Sequence, residues 1–97
     1  MKSKVINPKM TELTELSVLC KALAHPVRVQ ILQLLLERRC LCGDMVNALP
    51  LAQSTVSEHL RILKEAGLIH DEAEGPRRRY CVNHQLLKRF KTLITAL

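Results

Sequence analysis

From Met10 to Ala24, Leu13, Leu16, Cys20 and Leu23 recur at three- and four-residue steps, which lays one apolar stripe along a helix. Pro26 then suits the first turn of a second helix, where its missing N–H has no intrahelical partner to lose. Ile31, Leu32, Leu34, Leu35 and Leu36 make that segment apolar nearly all round, the pattern of a helix in the middle of a core. Charged Glu37, Arg38 and Arg39 end it. Asp44 is placed to begin a short helix carrying Met45, Val46 and Leu49, which Pro50 closes. Leu51 to Ala66 predicts the next helix, with Val56, Leu60 and Leu63 inward and Gly67 as its C-terminal stop.

Beyond Gly67 the period shortens. The stretch "LIHDEAEGPRRRYCVN" predicts two short strands around a tip at Glu74-Gly75-Pro76. From His84 onward the helical period returns, and Leu86, Leu87, Phe90, Leu93, Ile94 and Leu97 cover more than one face. That exceeds what packing onto one domain requires, so the first and last helices are expected to share a homodimer interface. Polar residues 1–9, with Pro8, read as a mobile N-terminal arm, and 10–97 as a single domain without internal repeats. The order of elements is that of a mainly α winged helix-turn-helix with a small β-hairpin wing.

Composition narrows the class. A chain of 97 residues forms one modest domain, and with only Tyr80 and Phe90 as aromatics its core must be aliphatic. Fifteen Lys and Arg against nine Asp and Glu leave a net charge of +6, which favours a polyanionic partner. The first residues carry charge but no apolar run of signal-peptide type, and no stretch approaches the roughly 18 apolar residues of a membrane helix. The expected compartment is therefore cytoplasmic, with no membrane partner and with all four cysteines reduced. An enzyme is disfavoured, because Ser, His and Asp fall on outward positions with no Gly-rich loop or nucleophile setting.

The segment "LPLAQSTVSEHLRILKEAGLI" carries the best candidate chemistry. On a helical wheel Val56, Leu60 and Leu63 cluster on one side, while Ser54, Ser57, Glu58 and Arg61 lie on or near the other and Gln53 stands at the amino end. Gln can pair with adenine, and Ser or Thr can bond to bases or phosphates, so Gln53, Ser54, Thr55 and Ser57 suit the major groove of double-stranded DNA. Arg61, one turn on, is better placed for phosphate. His59 is retained among the candidate DNA contacts, although it leans toward the apolar side, where a packing role is favoured. Arg77, Arg78 and Arg79 follow the hairpin tip. Because side chains alternate on a strand, two of them are expected to touch DNA and one to pair with Glu72 or Glu74.

"LAHPVRVQILQLL", "LPLAQSTVSEHLRILKEAGLI" and the basic hairpin ending "RRRYCVN" resemble the ArsR (ArsR/SmtB) repressors, from about Leu16 to Phe90. The resemblance implies a dimeric winged-helix repressor that leaves its operator when a metal or metalloid binds. It also implies that Gln53, Ser54, Thr55 and Ser57 face DNA and that the first and last helices form the dimer. Arsenic- and antimony-responsive members carry a Cys-x-Cys pair ahead of the reading helix, which points to Cys40 and Cys42. The family motif reads roughly Cys-x-Cys-Asp-Leu-Cys. Here Gly43 precedes Asp44, and Val46 stands where a third thiol is found. Ala52 also occupies a position where the family often has a capping Ser.

As(III) and Sb(III) favour trigonal thiolate coordination, and soft ions in general select Cys. In an extended strand Cys40 and Cys42 would point the same way. A third sulfur has three candidate sources: Cys81, Cys20, or a non-protein thiol such as glutathione. Cys81 is preferred, because Cys20 lies on the first helix's apolar stripe and reads as core. Zn(II), which usually takes four ligands, fits less well. The last helix lacks a His/Asp pair, and His25, His70 and His84 look isolated. No cofactor is required. Two other readings remain: a thiol redox or persulfide sensor of the same fold, and a protein-binding winged-helix module.

Overall fold

The computed structural model describes residues 10–38, 40–43, 46 and 49–97. The expected arm at 1–9 and the expected helix start at Asp44 and Met45 lie outside the described residues.

Helix α1 (Met10–Ala22) buries Leu19 and Ala22, and Leu16 packs against the same core together with Leu23, just past the helix end. Cys20, read from the sequence as a core residue, is instead exposed, and Leu13 is 40% exposed. The inward seam runs through Leu16, Leu19 and Leu23, and Cys20 falls on its outer edge, roughly 100° round from Leu19 on a helix of 3.6 residues per turn. Helix α2 (Pro26–Arg38) begins at its proline as expected, and the Val27 amide donates to His25 Nδ1 (3.1 Å), so the histidine caps the first turn. Ile31, Leu32 and Leu35 are buried. Leu36 and Val29 are about 40% exposed, so α2 is less enclosed than its composition suggests.

A three-residue strand, β1 (Cys40–Cys42), follows α2. Gly43 and Val46 have helical backbone, and Val46 is fully buried. Helix α3 (Gln53–Glu65) buries Val56, Leu60 and Leu63. Its N-cap, Ala52, offers no side-chain bond to the first turn. At the other end the Leu68 amide donates to Leu63 O (3.1 Å) and the Gly67 amide to Lys64 O (2.9 Å), a Schellman closure that requires the positive φ of +85° at Gly67.

Strands β2 (Ile69–Glu74) and β3 (Arg77–Val82) form the expected hairpin, with Gly75 at φ +62° in its turn. The sheet has a third member, since β1 pairs antiparallel with the far side of β3 in the order β1-β3-β2. Ile69 and Val82 pair at the buried end of the hairpin. Helix α4 (His84–Thr95) starts at Asn83, whose side chain accepts from the Leu86 amide (3.1 Å) and donates through Nδ2 to Gly67 O (3.0 Å). One side chain thus caps α4 and anchors it to the end of α3. Leu87 and Phe90 turn inward, and Arg89 reaches Glu15 of α1 (2.7 Å). Among the described residues no single helix is long and apolar enough to cross a membrane.

Candidate nucleic-acid interface and thiol face

The first turn of α3 presents Gln53, Ser54, Thr55 and Ser57 to solvent, while Val56 beneath them is fully buried. Side-chain volume enforces this division. Burying Val56, Leu60 and Leu63 fixes the rotation of the helix, and that rotation leaves the short polar groups outward in one contiguous patch.

Arg61 lies on the same outward side, bonded through Nε to Glu58 (2.9 Å) and through Nη1 to Glu65 (2.7 Å). The hydrogen bonds to Glu58 and then Glu65 push the guanidinium pKa up, and the bond from Arg61 holds the Glu58 carboxyl below its usual value. A phosphate contact at Arg61 therefore has to displace carboxylates already in place.

His59 departs from its placement among DNA contacts. It is 6% exposed, its ring centroid lies 4.4 Å from that of His25, and Arg28 Nη1 approaches its Nδ1 at 3.2 Å. A guanidinium only donates, so His59 Nδ1 must accept, which fixes the neutral ring with its proton on Nε2. Burial, with the nearby His25 and Arg28, lowers the His59 pKa. Arg28 also donates through Nε to Ala22 O (2.6 Å), so one arginine closes the end of α1 and braces α3.

On the wing, Arg78 bonds to Asp71, which also accepts from Lys64 Nζ (3.2 Å). Burial alone raises the Asp71 pKa, but Lys64 and Arg78 outweigh it and hold the carboxyl below its ordinary value. Arg79 pairs with Glu72 (2.7 Å) and lies 3.8 Å from Glu74, the acidic pairing expected of one arginine in this run. Arg77 is exposed next to the tip. Lys64, Asp71 and Arg78 thus tie the end of α3 to the β2–β3 hairpin.

The thiols lie on the opposite face of the sheet from Arg78. In register, Cys40 stands opposite Cys81 and Cys81 opposite His70, while Cys42 stands opposite Arg79 and Arg79 opposite Glu72. Alternation places all six on one face. The Cα atoms of Cys40 and Cys81 are 4.3 Å apart, the close spacing of a non-hydrogen-bonded antiparallel pair, and a disulfide joins the two residues. The expectation that all four cysteines are reduced therefore fails at this pair. Cys42 is a free, half-buried thiol beside it. An open hollow of about 670 Å³ borders the face, lined among others by Cys40, His70, Glu72, Arg79 and Cys81.

Cys81 was expected near Cys40 and Cys42 as a third sulfur donor and stands across from Cys40, but its disulfide was not foreseen, and His70 was missed, having looked isolated. A signal was present: His70 and Cys81 are equally far from the Gly75-Pro76 tip, so a hairpin centred there sets them opposite each other.

The model for "Bacterial regulatory protein, arsR family" matches residues 25–71, which hold α2, β1, α3 and the start of β2. The HTH-type transcriptional repressor SmtB of Mycobacterium tuberculosis is 48% identical over 58 residues, 59% of this chain and 42% of that protein. The chain therefore matches less than half the length of that relative. An HTH-type transcriptional regulator of Methanocaldococcus jannaschii, MJ1325, is 35% identical over 78 residues, covering 79% of this chain and 88% of that one. In three dimensions an ArsR-like transcriptional regulator from Rhodococcus sp. RHA1 superposes with a TM-score of 0.78 over 89% of this chain and 81% of the other, at 23% identity, which supports the winged-helix fold. Matched by the family model through its helix-turn-helix and by MJ1325 over most of both chains, this protein belongs to the arsR family of bacterial regulatory proteins.

Proposed function

We propose that the protein is a dimeric transcriptional repressor that reads a DNA operator through α3 and the wing, and releases it when As(III) or Sb(III) binds at Cys40 and Cys42. The observation that carries the DNA reading is the division of α3 into a buried aliphatic side and an exposed face of Gln53, Ser54, Thr55 and Ser57. Arg77, Arg78 and Arg79 add positive charge on the wing. Exposed Met10, Leu13 and Val18 on α1 and Ile94 on α4 support pairing of two copies through these helices. The metalloid reading is supported by three sulfurs on one sheet face, with Cys81 adjacent to Cys40 as a third donor once the disulfide is reduced. A coupling of about 1–3 kcal/mol loosens operator binding about 5–150-fold.

The test is operator binding under reductant while As(III) is titrated in. Release by the native protein and retention by a Cys40→Ser/Cys42→Ser double variant support the reading; normal release by that variant removes the thiols from the switch. Gln53→Ala should relax preference at particular base pairs, whereas Arg78→Ala should weaken all sequences alike and reduce the salt slope by about one. Absence of any protected operator in footprinting would favour a protein-binding module instead.

The Cys40–Cys81 disulfide favours a second reading, a thiol redox or persulfide switch. It predicts DNA binding that is indifferent to arsenite and changes reversibly between a mild oxidant and a dithiol.

A further inference from the structure

The sheet face holds more ligand chemistry than the metalloid reading uses. Donor atoms of His70, Glu72 and Cys81 all lie within 4.8 Å of one another, and Cys40 is directly across from Cys81. Two thiols, an imidazole and a carboxylate make a four-donor set of mixed softness, which suits a tetrahedral divalent ion better than a trigonal S₃ metalloid. From these positions we infer that the reduced chain binds one borderline divalent cation of the Zn(II) type through Cys40, Cys81, His70 and Glu72.

Three features support the assignment. First, the donors come from three different strands whose register is fixed by backbone pairing, so little of the site has to be organised by the ion. Second, Arg79 holds the Glu72 carboxylate through Oε2, leaving Oε1 to coordinate, in the manner of a ligand oriented by its own hydrogen-bond partner. Third, charge closes: the two thiolates and Glu72 bring three negative charges, which a divalent ion and the Arg79 guanidinium together neutralise. The adjoining open hollow gives the ion a route from solvent.

The disulfide makes the site conditional. Reduction by a dithiol delivers two electrons and two protons, breaking the S–S bond to give the Cys40 and Cys81 thiols while the dithiol becomes a disulfide. Coordination then releases both thiol protons to solvent as the metal–sulfur bonds form. The oxidised chain offers only His70 and Glu72. The inference does not depend on operator binding, and because it shares Cys40 and Cys81 with the proposed metalloid site, the two occupancies exclude each other.

Co(II), a spectroscopic stand-in for Zn(II), tests the site without DNA. The full chain, reduced with a phosphine, should take up one Co(II) with visible bands of tetrahedral geometry and a thiolate charge-transfer absorption. His70→Gln, an exposed substitution that leaves the core untouched, should weaken Co(II) binding by at least about 10-fold. Cys42→Ser should leave it within about twofold. Chain oxidised with diamide should show no charge-transfer band. Unchanged affinity in His70→Gln, loss of binding in Cys42→Ser, or equal binding by the oxidised chain would each overturn the assignment. Because the readout is optical and uses no operator, failure of the DNA reading leaves it intact, and the reverse also holds.

Discussion

The N-terminus of α3 lacks a side-chain cap, and this gives a prediction whose size follows from local geometry. Ala52 occupies the N-cap with φ −59° and ψ 141°, an extended conformation compatible with Ser, and its side chain is exposed. Ala52 O already accepts from the Thr55 and Val56 amides, so the backbone is set for a cap and lacks only a side-chain acceptor. Ala52→Ser supplies that acceptor for the Ser54 or Thr55 amide and should stabilise the fold by about 1 kcal/mol. For 97 residues the unfolding entropy near 60 °C is about 0.2 kcal/mol/K, so Tm should rise by about 5 °C. The assay is thermal unfolding followed by circular dichroism at fixed chain concentration. Ala52→Val is the control, since it changes the side chain without supplying an acceptor and is as poor a cap as Ala. An unchanged or lower Tm in Ala52→Ser, or a gain in Ala52→Val as large as that in Ala52→Ser, would refute the reasoning.

Three other substitutions probe the frame around the reading helix. Asn83→Ala removes the α4 cap and the bond to Gly67 O, and should lower stability by about 2 kcal/mol in urea unfolding, while Asn83→Ser, which keeps a cap, should recover about half. Gly67→Ala forces a non-Gly residue to φ +85° and sets its Cβ 3.1 Å from Leu86 Cδ2; a loss of about 1–2 kcal/mol with an unchanged m value is expected. The third concerns pH. Folding lowers the pKa of His59, so the unfolded chain takes up the His59 proton first as pH falls. Stability from this group is complete above the ordinary value of 6.5 and declines as pH drops through it toward the lower folded value. His59→Gln should flatten the pH dependence of Tm across that window, and an identical profile in the variant would assign the effect elsewhere.

What the sequence made legible was local. The two-sided pattern of α3 survives because three large aliphatic residues at positions 56, 60 and 63 leave only one way to bury them. The hairpin was readable because Gly75-Pro76 can hardly continue a strand. The α1 seam was misread at Cys20, since a stripe through Leu13, Leu16, Cys20 and Leu23 and one through Leu16, Leu19 and Leu23 satisfy the same period, and only tertiary contact chooses between them. β1 escaped as a structural element for a different reason. Three residues cannot establish alternation, and its partner Cys81 is 41 positions away, a pairing that no local period records. His70 was lost with it, because its neighbours become visible only once the sheet's register is known.

The pairing of β1 with β3 joins two parts of the chain that lead to different places. Past Cys42 the chain runs on to the helix-turn-helix; past Val82 it enters α4 after the single residue Asn83. The short sheet is thus a crossbar between α3 and the helix whose outer edge is exposed and apolar. Under the proposed function, a bond or ion across these strands would bear on both ends. Variants that loosen the crossbar should therefore shift DNA affinity and self-association together, in proportion, rather than one at a time.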